Sequence, residues 1–153
     1  MLLLIEKNLY KDKTKIENTK SLTFRYTVGN YINADIVYEL YLINNSYIAT
    51  YKIAGIPKEN QLKKEVSKET VTKIENILKK YKVYKWNGFN KSDNNVLDGN
   101  SFSFSYTNIN KKYISASGYM KYPKNYRNFK NDINNLYEEL FKEEIKIQKA
   151  TLR

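Results

Sequence analysis

The chain of 153 residues contains no cysteine and no histidine, and it carries a formal net charge of +11. Without cysteine it has no disulfide, thiolate metal site or thiol nucleophile, and without histidine it lacks the commonest metal ligand and the usual general base. The length fits one domain with a core of its own, so we expect a single domain over residues 1–153 with no metal and no cofactor.

The first half of the chain predicts antiparallel strands. Residues 22–28 alternate between apolar and polar side chains, which is the pattern of a strand with one buried face. Residues 36–43 are apolar at nearly every position and predict an interior strand, joined by an asparagine-rich turn to a partner over 47–54. Residues 61–66 fit a further short strand, and the polar residues 11–20 are expected to form a loose loop.

The first predicted helix follows Ser67, which is a suitable N-cap, and Glu69 lies in its first turn. Apolar residues then recur at helical spacing. Beyond this helix, Val83, Tyr84 and Trp86 are expected to begin another strand. The apolar stripe of the helix consists of Val71, Ile74, Ile77, Leu78 and Tyr81.

The second half predicts a loop, a hairpin and a final helix. Residues 87–100 are rich in turn formers and are expected to form a long loop. Residues 102–106 alternate aromatic and serine side chains, so they predict a strand whose hairpin partner is 113–118. Pro123 is expected in the first turn of the final helix. The apolar stripe of that helix consists of Tyr126, Phe129, Ile133, Leu136 and Leu140.

This order of elements indicates an α+β fold. We expect a single domain with an antiparallel sheet of about five to seven strands and two amphipathic helices packed on one face of it. No stretch approaches the roughly 18–20 apolar residues that cross a bilayer. The short apolar run at the N-terminus also lacks the features of a secretory signal. We therefore expect a cytoplasmic protein that has no membrane partner.

The positive charge has two interpretations. Arginine occurs only at positions 25, 127 and 153, and the abundance of lysine, asparagine, isoleucine and tyrosine is typical of an AT-rich genome. The alternative is a selected basic surface that binds nucleic acid. Lysine and glutamate are mixed over 58–82 and 138–149, which favours genome composition over a selected surface.

The sequence contains no established catalytic or metal-binding motif, such as a dinucleotide-binding glycine pattern or a Walker loop. Asp93, Asn95 and Asp98 fall in one stretch, but an EF-hand counted from Asp93 would need oxygen ligands where Leu97 and Phe104 stand. We interpret these residues as turn formers. A non-catalytic protein is therefore favoured over an enzyme.

Residues 86–126 form the most unusual part of the sequence. In order, they contain Trp-Asn-Gly-Phe at 86–89, Asp-Gly at 98–99, Gly118, Tyr-Pro at 122–123 and Asn-Tyr at 125–126. This pattern resembles an uncharacterised family of small bacterial proteins that share Trp-x-Gly-Phe, Asp-Gly and Gly-x-x-x-Tyr-Pro in that order. The hairpin turn departs from the family, because Asn-Ile-Asn at 108–110 replaces an acidic-glycine turn. The resemblance implies a shared fold and no known activity.

Two interpretations of this stretch stay open. In the structural one, Trp86 and Phe89 close the end of the sheet, and the glycines at 88, 99 and 118 occupy positive-φ turns. In the functional one, the long loop and residues 119–126 form a tyrosine-rich groove that binds a ligand. In both, residues 86–99 and 118–126 pack against each other. The candidate binding residues are Trp86, Phe89, Asp98, Tyr119, Tyr122 and Tyr126.

Three functions follow in order of preference. The first is a non-catalytic binding or accessory domain for a protein or a small ligand. The second is weak, non-specific nucleic-acid binding through lysine and tyrosine, and the third is an enzyme that uses carboxylate or lysine chemistry. The rings of Phe102, Phe104 and Tyr106 bear on the second, because RNA-recognition sheets stack bases on such rings. We expect these rings to point into the core instead.

Overall fold

The computed structural model describes residues 16–28, 34–97 and 99–151. These residues form one seven-stranded sheet and three α-helices. The strands are β1 Thr19–Val28, β2 Ala34–Ile43, β3 Ser46–Ile53, β4 Leu62–Val66, β5 Asn90–Ser92, β6 Ser101–Asn108 and β7 Tyr113–Tyr119. The helices are α1 Lys68–Lys80, α2 Tyr126–Leu140 and α3 Lys142–Thr151.

The strand order in the sheet is β4-β3-β2-β1-β6-β7-β5, and neighbouring strands are antiparallel except for β5 and β7. The predicted interior strand and its partner are β2 and β3. Asn44 and Asn45 between them have φ angles of 50° and 65°, a conformation that asparagine adopts readily in hairpin turns. The short strand β5 lies inside the stretch predicted as a loop, and it makes the sheet mixed rather than wholly antiparallel.

One hydrophobic core lies between a single face of the sheet and the helices, which confirms the predicted single-domain α+β fold. The amide of Thr70 donates to Ser67 Oγ at 3.2 Å, so Ser67 is the N-cap of α1, as predicted. The rings of Phe24 in β1 and Phe129 in α2 have their centroids 5.0 Å apart. The buried side chains of α1 and α2 are Val71, Ile74, Leu78, Tyr126, Phe129, Ile133 and Tyr137.

The predicted strand at residues 83–86 is wrong, because Val83–Trp86 is a 3-10 turn. It follows Lys82, whose left-handed φ of 54° ends the run of helical residues. The turn buries Val83, Tyr84 and Trp86 together. A strand would place neighbouring side chains on opposite faces of the sheet, so it could not bury all three in the same core.

The final helix also differs from the prediction at both ends. Pro123 lies before α2 rather than in its first turn, because Asn125 has a left-handed φ of 70° and the helix starts at Tyr126. The helix ends at Leu140, and the unpredicted α3 follows the buried Phe141.

The loose loop expected over 11–20 does not hold for the residues that the structure describes. Ile16 is fully buried, and Thr19 is a buried residue at the start of β1. Residues 11–15 lie outside the described part of the chain. None of the helices in the described part has the length and apolarity that crossing a membrane requires.

Candidate functional site

A cleft with a volume of about 610 Å³ opens between the end of α1 and the segment that leads into α2. One wall is formed by residues 81–91 and the other by residues 122–125. We call it the lysine–aromatic cleft, after the side chains that dominate its lining. The lining residues are Tyr81, Lys82, Lys85, Trp86, Phe89, Lys91, Tyr122, Pro123, Lys124 and Asn125.

Two hydrogen bonds join the walls of the cleft. The Asn125 side-chain amide donates to the Tyr81 carbonyl at 3.1 Å, and the Trp86 indole N–H donates to the Lys124 carbonyl at 3.0 Å. Both wall segments also turn sharply, at Lys82 and Asn125, through left-handed backbone conformations. The shape of the cleft is therefore set by backbone geometry and by cross-wall bonds, and it does not depend on a ligand.

Trp86 anchors the cleft to the core. Its side chain is 3% exposed, and its ring lies edge-on to Phe104 and Phe129 at 5.6 Å and 5.0 Å. The ring of Tyr126 is 6.0 Å away. Edge-to-face pairs at these separations add stabilisation beyond the burial of their surface. The rigid base of the cleft is thus continuous with the hydrophobic core.

Tyr122 is the outermost ring of an aromatic stack. Its centroid lies 4.6 Å from that of Tyr126 and 5.8 Å from that of Phe102, with interplanar angles of 25° and 29°. Burial raises the pKa of the Tyr126 hydroxyl well above its usual range, and burial also raises the pKa of Tyr122. Tyr122 remains 39% exposed, so the stack presents a neutral aromatic surface at the rim of the cleft.

All the charged side chains in the described lining of the cleft are lysines. Lys82, Lys85, Lys91 and Lys124 are exposed, and none of them forms an ion pair within the described residues. The Lys91 Nζ lies 5.4 Å from the centroid of the Phe89 ring. The four ammonium groups therefore concentrate positive potential in a concave site.

One carboxylate lies beside the cleft without lining it. Asp132 accepts a hydrogen bond from the Tyr81 hydroxyl at 2.6 Å, and its carboxylate is 3.8 Å from Lys80 Nζ. The bond to Asp132 is the main reason that the pKa of Tyr81 is raised. Asp132 is thus already paired with two groups and does not neutralise the four lysines of the lining.

The structure brings together three of the six predicted binding residues. Trp86, Phe89 and Tyr122 line the cleft, while Tyr126 lies beneath it at 8% exposure and supports the ring of Tyr122. Tyr119 lies outside the cleft lining. The sixth residue, Asp98, lies outside the described residues.

Tyr119 instead joins the two segments that were expected to pack together. Its hydroxyl accepts from the Gly99 amide at 2.7 Å and donates to the Val96 carbonyl at 2.9 Å. These bonds, together with the contacts of Trp86, confirm the packing of residues 86–99 against 118–126. The buried rings of this stretch are structural, as one interpretation predicted, and the cleft remains open above them. The binding role stays a prediction.

The prediction that three glycines serve positive-φ turns holds only for Gly88, whose φ is +88°. Gly99 and Gly118 are required for space instead. A β-carbon on Gly118 would lie 2.1 Å from the Lys121 carbonyl oxygen and 2.7 Å from Phe102 Cε1. A β-carbon on Gly99 would lie 2.4 Å from the Met120 side chain.

The aromatic face of β6 belongs to the core, as predicted. Phe102, Phe104 and Tyr106 are exposed by 4%, 1% and 1%. They are covered by the helices, so they offer no surface on which a base could stack. The RNA-recognition interpretation of this strand is therefore wrong.

Sequence reasoning missed the lysines of the cleft together with Tyr81, Pro123 and Asn125. Lysine is so common in this chain that no single one stands out, and the mixed Lys/Glu pattern favoured genome composition. Their position around one cavity depends on the folding of two segments that are distant in sequence. Asn125 gave no local indication either, because it fell inside the helix that was predicted to begin near Pro123.

A second cavity, of about 620 Å³, lies over the outer face of β2 and β3, and the charged residues of its lining are Glu39, Lys52, Lys58 and Lys63. Lys52 Nζ lies 2.5 Å from the Glu39 carboxylate, which also accepts from the Thr50 hydroxyl at 3.0 Å. The lysine–aromatic cleft differs in that its described lining contains no carboxylate. Among the described residues, no group of three acidic side chains is placed to hold a metal ion.

Comparisons with protein-family models, with curated proteins and with solved structures find no match to this chain.

Proposed function

We propose that this protein is a non-catalytic binding domain and that its ligand is an anion held in the lysine–aromatic cleft. The observation that carries this proposal is the convergence of four lysines without acidic partners around an aromatic, preformed cavity. A negatively charged ligand would relieve the mutual repulsion of these ammonium groups. The volume lies within the range of about 300–1,000 Å³ that small-molecule sites occupy.

The chemistry of the lining supports binding rather than catalysis. The described lining contains no carboxylate, and its two hydroxyl groups belong to Tyr81 and Tyr122. The pKa of each of these hydroxyls is raised, so neither loses its proton near neutral pH to act as a base. Within the described lining, neither a carboxylate nor a tyrosinate is available as the base for proton-transfer catalysis.

Weak, non-specific nucleic-acid binding is the second candidate function, and the net charge of +11 supports it. Such binding depends on the release of counterions from phosphates, so we expect it to weaken steeply as salt rises. The two candidate functions differ in which charges bind the ligand. Non-specific binding depends on the net charge of the whole protein, whereas a specific site depends on the lysines of the cleft.

A charge-matched pair of variants tests this distinction. We expect K82Q/K124Q, which removes one lysine from each wall, to weaken binding of pyrophosphate about tenfold or more, equivalent to about 1.4 kcal/mol. The control K146Q/K149Q removes the same charge from exposed positions of α3, outside the cleft lining. Because Trp86 is the only tryptophan and lines the cleft, its fluorescence reports binding of this non-absorbing anion.

Equal loss of affinity in both double variants would contradict a specific site and favour attraction to the overall charge. The titration is run at two salt concentrations for that reason. Binding that survives higher salt in the wild type and in the control, but not in K82Q/K124Q, supports the cleft.

A further inference from the structure

We propose that the ligand of the lysine–aromatic cleft is a nucleoside polyphosphate, whose base stacks on Tyr122 and whose phosphates contact the lysines. This inference rests on the proposed function and names its ligand class. The cleft combines two features that such a ligand needs together, an exposed aromatic surface and a group of unpaired cations.

Tyr122 is suited to hold a planar ring. It is stacked on Tyr126, which is itself buried against Phe102 at a centroid distance of 4.6 Å. The stack fixes the plane of Tyr122 before a ligand arrives, while 39% of the residue stays exposed. Stacking of a base on such a ring contributes about 1–3 kcal/mol and tolerates any base, because every base has an aromatic face.

The lysines are suited to hold a chain of phosphates. Lysine binds phosphate as a compact charge with three donors and does not require the planar two-point geometry of arginine. Lys82 and Lys85 lie on one wall and Lys124 on the other, so the positive charge is spread across the cleft rather than gathered at a single point. A ligand with several charged groups matches this distribution better than one carboxylate does.

The lining contains little that would distinguish one base from another. Asn125 has the one side-chain amide among the described lining residues, and one N–H of that amide already donates to the Tyr81 carbonyl. Base recognition in proteins relies on hydrogen bonds from such groups to base edges. We therefore expect adenine and guanine nucleotides to bind with affinities within a few-fold of each other, with the polyphosphate chain and the stacked ring dominating affinity.

Isothermal titration calorimetry in magnesium-free buffer tests the inference with ATP, inorganic tripolyphosphate, adenosine, an acidic peptide and a single-stranded oligonucleotide. We expect ATP to bind about tenfold or more tighter than tripolyphosphate, because only ATP stacks. Tyr122→Leu should reduce ATP affinity to the tripolyphosphate level, and Tyr122→Phe should keep it. The control Tyr113→Leu changes a tyrosine that is 62% exposed on β7 and does not line the cleft.

The other outcomes separate this inference from the proposed function. The proposal of a nucleotide ligand would be overturned if ATP and tripolyphosphate bound with equal affinity, or if only the acidic peptide bound. Either result would still be consistent with an anion site. If the oligonucleotide binds much more tightly than ATP, the nucleotide proposal is overturned in favour of a nucleic-acid polymer. No binding by any anion would overturn both proposals. If Tyr122→Leu also loses affinity for tripolyphosphate, the variant cannot separate the two ligands. The affinities of the wild-type protein for ATP and for tripolyphosphate then decide whether the nucleoside contributes to binding.

Discussion

Trp86 is the residue on which both segments around the cleft depend. Its ring contacts β6 and α2, and its indole N–H bonds to the Lys124 carbonyl on the opposite wall. A single side chain therefore contributes both to the core and to the shape of the cleft. Its loss would leave a large cavity and an unpaired carbonyl at the same place.

We expect Trp86→Ala to destabilise the protein by roughly 3–5 kcal/mol, as deletion of a large buried ring does. Urea unfolding followed by far-UV circular dichroism measures this change. Leu97→Ala, in the same segment but at a position that is 89% exposed, is the control and should change stability by less than about 0.5 kcal/mol. A loss below about 1 kcal/mol for Trp86→Ala would contradict the buried position of the ring.

Gly118 is a residue whose importance is steric. The added methyl group of alanine would meet the Lys121 carbonyl oxygen, which is backbone and cannot move aside as a flexible side chain can. We expect Gly118→Ala to cost about 1–3 kcal/mol, the usual range for overpacking. The control Ser115→Ala lies at an exposed position of the same strand and should be nearly neutral in thermal unfolding. If Gly118→Ala leaves the stability unchanged, the turn at 119–121 must relax to make room for the methyl group.

At the scale of elements, α3 is attached to the sheet through Lys64 of β4. The Lys64 ammonium donates to the Leu140 carbonyl at 2.9 Å and lies 2.7 Å from the Glu144 carboxylate. It also lies 5.3 Å from the centroid of the Phe141 ring. One lysine thus contacts the end of α2, the junction and the first turn of α3.

We expect the coupling between Lys64 and Glu144 to be no more than about 1 kcal/mol, because both side chains are about one third exposed. The bond to Lys64 is the main reason that the pKa of Glu144 is lowered. A lowered folded-state pKa means that the contribution is complete above the unfolded-state pKa and is lost as pH falls through the folded value.

A double-mutant cycle of Lys64→Gln and Glu144→Gln, repeated at neutral and acidic pH, measures this coupling. Lys142 and Glu139 form a more exposed pair and provide the matched control cycle, which should give a smaller coupling. Hydrogen exchange of the α3 amides should also quicken in Lys64→Gln. A Lys64–Glu144 coupling that stays constant down to strongly acidic pH would contradict the assignment.

At the scale of the whole molecule, several tyrosines are core residues. Tyr38, Tyr106 and Tyr137 are almost fully buried, and their hydroxyls have protein partners. The Tyr38 hydroxyl donates to Asn134 Oδ1 at 2.7 Å, and the Tyr137 hydroxyl donates to the Glu39 carbonyl at 2.6 Å. Burial raises the pKa of each of these hydroxyls well above its usual range.

We expect the protein to lose stability steeply above about pH 10, where tyrosines of the unfolded chain ionise and the buried ones do not. Since the unfolded state then binds fewer protons than the folded state, stability falls with rising pH. Tyrosinate absorbance of the core rings should therefore appear together with the loss of circular dichroism. The urea-unfolded chain is the control. Complete ionisation of all fifteen tyrosines while the fold persists would contradict this prediction.

Local patterns in the sequence predicted most of the elements. The alternation in β1 and β6, the stripes of α1 and α2 and the Ser67 cap depend only on neighbouring residues, so they can be recognised before the fold is known. The composition excluded cysteine and histidine chemistry in the same way. The errors at Val83–Trp86 and Pro123 arose where left-handed residues at 82 and 125 redirected the chain. Neither a lysine nor an asparagine inside a predicted helix reveals such a conformation locally.

The sequence by itself thus determined the fold class, most of the strands and the aromatic segment at 86–126. Only the tertiary structure decided which of its rings are buried, that β5 pairs in parallel with β7, and that Lys82, Lys85 and Lys91 face Lys124 across a cleft. The physical reason is the distance along the sequence over which each kind of interaction acts. Periodicity and capping act over a few residues, whereas a binding site forms where segments that are distant in sequence are brought together by the packing of a shared core.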